Sequence, residues 1–308
     1  MGELTMQSLH ASAADRLISH PLKFSEIRIE NTNRCGYHCF FCPREELTRQ
    51  QGVMSLEDLS LILDRVGHHE GLVDLHGFGE PLLDKLLVEK VALLTSRWPR
   101  AEPRFYSTLG VRVQPDYFLR LVEAGLRHVE VSFYGFDAES YLQAHGADRY
   151  EVARENLTRL CEAQRETAGK LNVVVRAFPK HDTIKQPGVD AQRCEDFHQW
   201  LESLGVSIWR ERDLHNYGSG RDYNKPGTDV PCSVVWGYRR RVLQVTWDLH
   251  VIPCCFDFDA EVKLGTLRLN TLEEIFSGRA YTDFIESHIA NRLENYPVCV
   301  KCERCYRE

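Results

Sequence analysis

Three cysteines near the start of the chain constrain its fold and chemistry more than any other feature. Cys35, Cys39 and Cys42 are separated by three and then two residues, and they follow directly after an apolar run at 24–30. Thiolates are soft ligands that suit iron-sulfur clusters and zinc alike. A structural zinc site normally closes with four protein ligands, whereas three cysteines in one loop leave a coordination position open for a substrate. The alternative is a compact zinc site that His38 completes.

The hydrophobic pattern between residues 25 and 215 predicts repeated βα units around this loop. Short apolar runs alternate with longer amphipathic stretches, which is the pattern of a parallel sheet covered by helices. The cysteine loop then lies at the carboxyl end of the first strand, where such sheets place their active sites. This position favours a reactive centre over a zinc site. The predicted strands are 24–30, 72–78, 104–109, 128–135, 171–178 and 206–212.

Helix signals fill the intervals between these strands. A run at 55–69 begins with Ser55 followed by acidic residues, and a run at 115–126 has Gly125 near its C-terminal end. Residues 213–231 are rich in Gly, Pro, Asn and Asp, which predicts a linker.

A smaller C-terminal part follows the linker. Residues 239–258 predict a β-hairpin, and residues 271–290 predict one or two helices. The predicted fold is α/β, a partial (β/α)6 barrel with a small domain of a β-hairpin plus helices. We expect an N-terminal extension at 1–24, the barrel at 25–215 and the small domain at 216–308.

Eleven cysteines are many for a chain of 308 residues without a secretory signal. We expect a cytoplasmic protein, where clustered thiols bind metal or take part in catalysis more often than they form disulfides. Two metal centres are therefore implied, with a zinc ribbon as the alternative for the second. The C-terminal quarter holds six of the cysteines, Cys232, Cys254, Cys255, Cys299, Cys302 and Cys305.

The first cysteine cluster resembles that of the radical S-adenosylmethionine (SAM) superfamily. The matching segment is Asn31-Thr32-Asn33-Arg34-Cys35-Gly36-Tyr37-His38-Cys39-Phe40-Phe41-Cys42-Pro43. The resemblance implies a radical SAM barrel in which three thiolates hold a 4Fe-4S cluster and SAM chelates the fourth iron. Reductive cleavage of SAM would yield a 5'-deoxyadenosyl radical that abstracts hydrogen from a substrate. An external electron donor such as flavodoxin or ferredoxin is implied as a partner.

Other motifs of that family follow in order along the chain. His76-Gly77-Phe78-Gly79-Glu80-Pro81 resembles the G-x-G-E-P element, whose glycines let the backbone approach the SAM amino group while Glu80 offers an acceptor. Thr108-Leu109-Gly110 stands where the family often has T-N-G. By the same resemblance, the SAM-binding residues are Phe41, which packs on adenine, Gly77, Gly79, Glu80, and Ser132 and Arg176, which bind the carboxylate or ribose.

The C-terminal cysteines resemble the SPASM and twitch appendages of radical enzymes. The twitch form implies one auxiliary 4Fe-4S cluster with Cys232, Cys254, Cys299 and Cys302 as ligands, and Cys305 could replace Cys302. The SPASM signature has glycine where Leu249 stands, five positions before Cys254, which favours Cys254 over Cys255 as the ligand.

The resemblance leaves the reaction open among several outcomes. Twitch and SPASM relatives act on amino sugars or peptides, so we expect hydrogen abstraction from a hydroxyl-bearing carbon of an amino sugar or aminoglycoside-type molecule. The product is a ketone if the carbon is oxidised, or an epimer if a thiol, Cys255 or else Cys254, returns a hydrogen atom. Modification of a peptide is the alternative, although only about 24 residues precede the first strand, too few for a leader-binding domain. A non-enzymatic electron-transfer or zinc protein would not need the G-x-G-E-P-like element.

Charge and hydropathy limit the partners. A net charge of -7 argues against nucleic acid, and no apolar run is long enough to cross a membrane. A polar small-molecule substrate, cationic or neutral, fits better. Residues 210–217 leave the last predicted strand and should face the barrel mouth, and Asp257 and Asp259 lie beside the auxiliary cysteines. The sequence does not identify a general base.

Overall fold

The structure is a computed structural model of the chain. It describes residues 24–177, 191–210, 214–219, 221, 232, 234 and 242–303.

Six parallel strands form the body of the sheet, as the alternating pattern predicts. Each predicted strand is present, with ends that differ by a few residues. A seventh strand lies on the other side of β1, and the sheet order is β6-β5-β4-β3-β2-β1-β7-β8-β9. The sheet is open, which confirms the partial barrel. The strands are β1 (Glu26–Ile29), β2 (Gly71–Asp74), β3 (Ala101–Ser107), β4 (His128–Ser132), β5 (Asn172–Ala177), β6 (Ser207–Arg210), β7 (Val242–Val245), β8 (His250–Ile252) and β9 (Gly265–Thr266).

Nine α-helices are present among the described residues, and their ends carry the expected caps. Ser55 accepts a hydrogen bond from the Asp58 backbone N–H at the first helix, and Thr271 and Asp137 each complete a capping box. The helices are α1 (Leu56–Val66), α2 (Leu87–Arg97), α3 (Tyr117–Glu123), α4 (Ala138–His145), α5 (Tyr150–Glu166), α6 (Ala191–Ser203), α7 (Leu272–Ser277), α8 (Arg279–Ile289) and α9 (Pro297–Val300).

The two faces of the strands differ in chemistry. On the outer face, buried side chains such as Ile27, Val73 and Phe105 belong to the main hydrophobic core. The alternate residues carry charged or polar side chains, because successive side chains of a strand point to opposite faces. On the inner face these residues are Glu26, Arg28, Asp74, Arg104, Tyr106, Glu130, Ser132, Arg176 and Gln244.

The predicted C-terminal hairpin forms and continues the main sheet. Strand β7 pairs in parallel with β1, from Glu26 opposite Val242 to Ile29 opposite Val245. Strands β8 and β9 then add antiparallel pairs at the same edge. The two helices predicted at 271–290 are α7 and α8. The auxiliary region is thus joined to the barrel by backbone hydrogen bonds, and the predicted domain limits remain predictions.

No helix in the described parts of the chain has the length and apolar content that a membrane crossing requires.

Candidate active site

The loop after β1 carries the first three cysteines and is folded back on itself. Cys35 and Cys42 are half-buried and Cys39 is buried, and none of them is in a disulfide. The Cys42 backbone N–H donates to the Cys39 carbonyl at 3.0 Å, and Arg221 donates to the Cys42 carbonyl. Burial raises the pKa of the Cys35 thiol to about 12, and the charge of Glu80 adds to this shift. The protein alone therefore does not stabilise thiolates here, whereas bound metal would.

His38, the fourth ligand of the alternative zinc site, contacts Glu45. The exposed ring of His38 places Nδ1 2.9 Å from the Glu45 carboxylate. Among the residues the structure describes, no three His, Cys, Asp or Glu side chains lie close enough together to hold one metal ion. A 4Fe-4S cluster makes a different demand, because each thiolate binds a different iron.

Helix α4 ends against this cysteine loop. The His145 backbone carbonyl accepts from the His38 N–H at 3.0 Å, and the Ala144 carbonyl accepts from the Phe40 N–H at 3.3 Å. His145 is fully buried, and its Nδ1 lies 3.3 Å from Cys39 Sγ. Burial lowers the pKa of this imidazole to about 3, so it is neutral at pH 7. Nothing in the sequence motif indicated this contact, since the two residues are 106 positions apart.

Glu80 lies near the same loop and is held by its neighbours. It is 2% exposed, and its backbone N–H donates to the Arg34 carbonyl at 2.9 Å. One carboxylate oxygen accepts from the Leu82 N–H and Ser107 Oγ, and the other accepts from the N–H and Oγ1 of Thr108. Burial raises the pKa of Glu80 above its usual value, and these hydrogen bonds oppose the shift.

Gly77 and Gly79 of the G-x-G-E-P-like element lie in close contact with other residues of the protein. A Cβ at Gly79 would stand 2.3 Å from the Thr32 carbonyl oxygen, and a Cβ at Gly77 would stand 2.3 Å from the Glu30 side chain. The cysteine loop and the G-x-G-E-P-like element are therefore packed backbone to backbone. The predicted contact of these glycines with the SAM amino group remains a prediction.

Of the three other predicted SAM contacts, Phe41 lies in the cysteine loop, and Ser132 and Arg176 lie near the carboxyl ends of β4 and β5. The Phe41 ring packs edge-on against Tyr134 with centroids 4.7 Å apart. Ser132 and Arg176 are paired in register on β4 and β5. The Arg176 guanidinium donates to Glu130 at 2.8 Å and lies 5.3 Å from the centroid of the Tyr106 ring.

A cavity of about 370 Å³ occupies the inner face of the sheet between the barrel and the hairpin. Its wall contains two of the predicted SAM-binding residues, Gly77 and Arg176, and the predicted hydrogen donor Cys255. His215 and Tyr217 also line it, which confirms that the end of segment 210–217 faces the barrel mouth, whereas residues 211–213 lie outside the described part of the chain.

The charges around the cavity are mostly compensated within the protein. Arg28 Nε lies 2.5 Å from Glu26 and 3.5 Å from Asp74, and Arg104 binds Asp74 at 2.5 Å. Arg49 donates to both Glu30 carboxylate oxygens at 2.6 Å. The sequence carried a signal for this polar lining, namely the alternation of polar residues along the predicted strands.

His76 faces the cavity as a neutral imidazole. Desolvation by burial lowers its pKa to about 3, and the positive charges of Arg28 and Arg104 contribute. Its ring lies 4.3 Å from that of Tyr106, and its buried Nδ1 has no hydrogen-bond partner among the described residues. The sequence provided no means of choosing this histidine over the others as a proton acceptor.

Cys254 and Cys255, the two adjacent cysteines after β8, differ in their position relative to the cavity. Burial and the neighbouring thiols of Cys255, Cys232 and Cys299 raise the pKa of Cys254 well above its usual value. These influences indicate that Cys254 is near Cys232 and Cys299, two of the predicted auxiliary ligands, as well as near Cys255. Cys255 lines the cavity instead and contributes to the electrostatic environment of Arg28.

The remaining predicted auxiliary ligands come from the C-terminal part of the chain. Cys299 and Cys302 are buried, and the Cys302 N–H donates to the Cys299 carbonyl at 3.2 Å. Cys305 lies outside the described residues. Leu249, which stands at the glycine position of the SPASM signature, has φ of 70°, a left-handed conformation that favours glycine.

The two predicted acidic residues beside Cys254 differ in position. Asp257 lines the cavity and accepts from the N–H groups of Glu261 and Val262 at 2.9 and 3.0 Å. Burial raises the pKa of Asp257 to about 7. Asp259 instead binds the segment after the cysteine loop, accepting from the Thr48 and Arg49 backbone N–H groups.

Two family models match the chain, and they cover the two regions just described. The model of the radical SAM superfamily matches residues 29–180. The chain therefore carries a radical SAM domain of this superfamily. The model of the SPASM iron-sulfur cluster-binding domain matches residues 232–306, which places this enzyme among the superfamily members that carry a C-terminal SPASM region. The two matched families imply SAM and 4Fe-4S clusters as cofactors.

Several known proteins resemble the chain, and they differ in sequence identity and in the share of the chain that they match. A probable GTP 3',8-cyclase of Saccharolobus islandicus is 28% identical over 198 residues, which are 64% of this chain and 59% of that protein. The structure of BtrN in complex with AdoMet and 2-DOIA has a TM-score of 0.62 and 21% identity, covering 94% of this chain and 95% of BtrN. Streptococcus suis SuiB bound to its precursor peptide SuiA has a TM-score of 0.57 and 12% identity, covering 96% of this chain and 73% of SuiB.

Proposed function

We propose that this enzyme abstracts a hydrogen atom from a hydroxyl-bearing carbon of a polar small molecule of the amino-sugar type, and that Cys255 returns a hydrogen atom to invert that carbon. The observation that carries the proposal is the position of Cys255 in the cavity wall, among residues such as Arg28 and Asp257. Cys255 lines this cavity and the adjacent Cys254 does not.

Cys35, Cys39 and Cys42 are the proposed ligands of the SAM-binding 4Fe-4S cluster. The free thiols of one loop and the close packing of Gly79 on that loop support this set. When bound, SAM supplies a 5'-deoxyadenosyl radical after one-electron reduction. Glu80, with Phe41, Ser132 and Arg176, is the proposed binding set that orients SAM above the cavity. Cys232, Cys254, Cys299 and Cys302 are the proposed ligands of the auxiliary 4Fe-4S cluster.

The cavity supports a polar substrate of modest size. Its volume of about 370 Å³ suits a sugar or cyclitol ring, and its wall contains groups of both signs, including Arg28, Glu30 and Asp257. The structure of BtrN in complex with AdoMet and 2-DOIA matches nearly the whole chain in fold and supports this substrate class. The SuiB structure with a bound precursor peptide keeps peptide modification as the alternative.

In the proposed inversion, Cys255 donates the hydrogen atom of its S–H bond to the substrate carbon radical. A new C–H bond forms, the S–H bond breaks, and a thiyl radical remains on Cys255. One electron and one proton then restore the thiol. The electron comes from the external donor that SAM cleavage already requires.

Oxidation of the same carbon is the second candidate, and His76 favours it. Its neutral ring and unpartnered Nδ1 could accept the proton of a substrate hydroxyl, and an auxiliary cluster bound by its proposed ligands would accept the second electron from the carbon radical. The product would be a ketone, two hydrogens lighter than the substrate.

The test is turnover in deuterium oxide with a panel of amino sugars, cyclitols, GTP and short peptides, following 5'-deoxyadenosine and product mass. Inversion gives a product of unchanged composition with one deuterium, whereas oxidation gives a product lighter by two hydrogens. Cys255→Ala should abolish inversion while 5'-deoxyadenosine still forms.

Cys161→Ala is the matched control, because Cys161 is a buried free thiol in α5 outside the cavity. Undiminished inversion by Cys255→Ala would rule out Cys255 as the donor. If the wild-type enzyme forms a ketone and His76→Asn does not, the result supports His76 as the proton acceptor in the oxidation. Reaction with peptides alone would reject both small-molecule candidates.

A further inference from the structure

The imidazole of His145 contacts a proposed cluster ligand and has no part in the function proposed above. It is the last residue of α4 and is fully buried. Its Nδ1 lies 3.3 Å from the Sγ atom of Cys39, the middle cysteine of the loop. A ring nitrogen therefore meets the sulfur directly.

The other ring nitrogen fixes which way this hydrogen bond runs. The Tyr134 backbone N–H donates to His145 Nε2 at 3.1 Å. A ring nitrogen that accepts a hydrogen bond carries a lone pair, so the proton of the neutral ring is on Nδ1. The Nδ1–H of His145 is thus the donor, and the sulfur of Cys39 is the acceptor.

The surrounding side chains hold the ring in this orientation. The ring centroid of Tyr141 lies 4.2 Å from that of His145, and those of Tyr37, Phe41 and Tyr134 lie 5.7 to 5.8 Å away. Rotation of the imidazole would require these aromatic rings to move and would break its hydrogen bond with the backbone.

The residue after His145 allows the helix end to approach the cysteine loop. Gly146 has φ of 63°, and a Cβ there would stand 2.7 Å from the His38 Cβ and carbonyl oxygen. The His38 N–H in turn donates to the His145 carbonyl at 3.0 Å. Backbone contacts on both sides of the imidazole therefore fix its distance from Cys39.

We propose that His145 is a positioning residue that donates a hydrogen bond to the Cys39 sulfur and thereby raises the reduction potential of the SAM-binding cluster. A hydrogen bond to a ligand sulfur stabilises negative charge on that ligand, and the reduced cluster carries more of it than the oxidised cluster. The inference rests on the proposed ligand set, in which Cys39 binds the cluster.

The test compares two variants that separate the donor from the ring. His145→Phe keeps an aromatic ring but has no hydrogen-bond donor. His145→Asn places an amide donor at the position of Nδ1 but has no ring. The anaerobically reconstituted full-length enzyme is poised at the wild-type midpoint, and the electron paramagnetic resonance signal that responds to SAM is measured. We expect His145→Phe to lower the ratio of reduced to oxidised cluster by about fivefold, and His145→Asn to stay within about twofold.

A purely structural role for the ring predicts the opposite order, with Phe as the better substitute, and that order would overturn the proposal. His69→Gln is the control for loss of a buried histidine, because His69 lies between α1 and β2 and binds the Leu72 carbonyl.

Iron content of each variant, and of Cys39→Ala, is measured alongside. If Cys39→Ala retains all its iron, the ligand set is wrong and the role of His145 fails with it. Equal potentials in iron-replete variants overturn the role of His145 alone.

A measurement on the unchanged sequence covers the case in which His145→Phe does not fold. Wild-type enzyme labelled with 15N-histidine should show a 15N hyperfine coupling on the SAM-responsive signal, because the hydrogen bond carries spin density from the sulfur to Nδ1. Absence of that coupling would overturn the proposal.

Discussion

Glu80 shows how one carboxylate organises several segments of the site. Its two oxygens accept four hydrogen bonds from Leu82, which follows β2, and from Ser107 and Thr108 at the end of β3. These donors stabilise the anion in a buried position where burial alone would favour the neutral acid. The charge that is proposed to meet the SAM amino group is therefore fixed in place before SAM binds.

Replacing Glu80 by Gln removes this negative charge and turns one acceptor into a donor that faces the Thr108 or Ser107 donors. We expect the dissociation constant for SAM to rise about tenfold, because a charge-assisted hydrogen bond contributes about 1.5–3 kcal/mol. Equilibrium dialysis with the reconstituted enzyme measures it. Glu102→Gln is the control, since Glu102 is exposed on β3; equal effects of the two substitutions would contradict the assignment.

His76 makes the stability of the protein depend on pH in a defined range. Its folded pKa of about 3 lies below the usual value of 6.5, so the unfolded chain binds a proton that the folded chain does not. The free energy of unfolding therefore falls as the pH drops from 6.5 toward 3, by about 1.4 kcal/mol per unit. Urea unfolding at pH 7.5 and 5.5 should show a wild-type loss about 1 kcal/mol larger than that of His76→Asn. Parallel losses would contradict the assigned pKa shift.

Two leucines adopt an uncommon backbone conformation at positions where the family motifs have other residues. Leu109 and Leu249 stand where the family patterns have asparagine and glycine, and both have positive φ, 58° and 70°. Both side chains are fully buried. Leucine rarely adopts positive φ, so neither conformation was predicted from these residues. The hydrogen bond from His145 to Cys39 was not predictable either, because it depends on packing between distant segments.

Helix α2 is joined to the start of the cysteine loop by a buried ion pair. Lys90 binds Asp84 at 2.6 Å with both side chains almost fully buried, and Asn31 also donates to Asp84, at 3.2 Å. Asn31 follows β1 closely and precedes the three cysteines by only a few positions. The pair therefore connects the helix packing to the position of the loop.

Replacing Lys90 by Met leaves the Asp84 carboxylate buried without its cation. We expect the free energy of unfolding to fall by about 3–5 kcal/mol, the usual cost of breaking a buried pair from one side. Adding Asp84→Asn to this variant should recover part of the loss. Denaturant unfolding measures all three, with the exposed Lys85→Met as control. A loss as small as that of Lys85→Met would show that the pair adds little.

The strands were largely predictable because their hydrophobic pattern is local. All six parallel strands and the hairpin occur where the sequence predicts them, with ends set by hydrogen bonds that a local pattern does not contain. The polar residues at alternate positions, such as Glu26, Arg28 and Asp74, were visible as well. Their meaning was not, because only the folded sheet brings residues of different strands, such as Arg28 and Asp74, into the wall of one cavity.

At the scale of the whole molecule, Asp259 connects the auxiliary region to the cysteine loop. It accepts from the backbone N–H and the Oγ1 of Thr48 at 2.7 and 2.5 Å and from the Arg49 N–H at 3.0 Å. Arg49 Nε also donates to the Phe258 carbonyl at 2.9 Å. Two segments more than 200 residues apart therefore meet at one carboxylate.

Asp259→Ala removes the acceptor of both backbone N–H groups. We expect the amides of Thr48 and Arg49 to exchange with deuterium about tenfold faster or more, since each lost hydrogen bond contributes about 1 kcal/mol or more. Mass-spectrometric exchange on the peptide that covers residues 44–52 measures this. Asp283→Ala, which removes an exposed carboxylate of α8, is the control and should leave that peptide unchanged. Unaltered exchange in Asp259→Ala would show that other contacts hold the two segments together.

The parallel pairing of β7 with β1 has a consequence for anyone who rebuilds this enzyme. A chimera made by cutting at the start of the SPASM match, near residue 232, would transplant β7 along with the cysteines. The recipient β1 would then receive a foreign neighbour in a register of four residue pairs, from Glu26–Val242 to Ile29–Val245. A cut after Val245 keeps the native pairing of β7 with β1 and leaves Cys232 on the recipient side. Exchange of the other three proposed ligands of the second cluster is therefore best done at the turn of the hairpin, where only the strand partner β8 has to be matched.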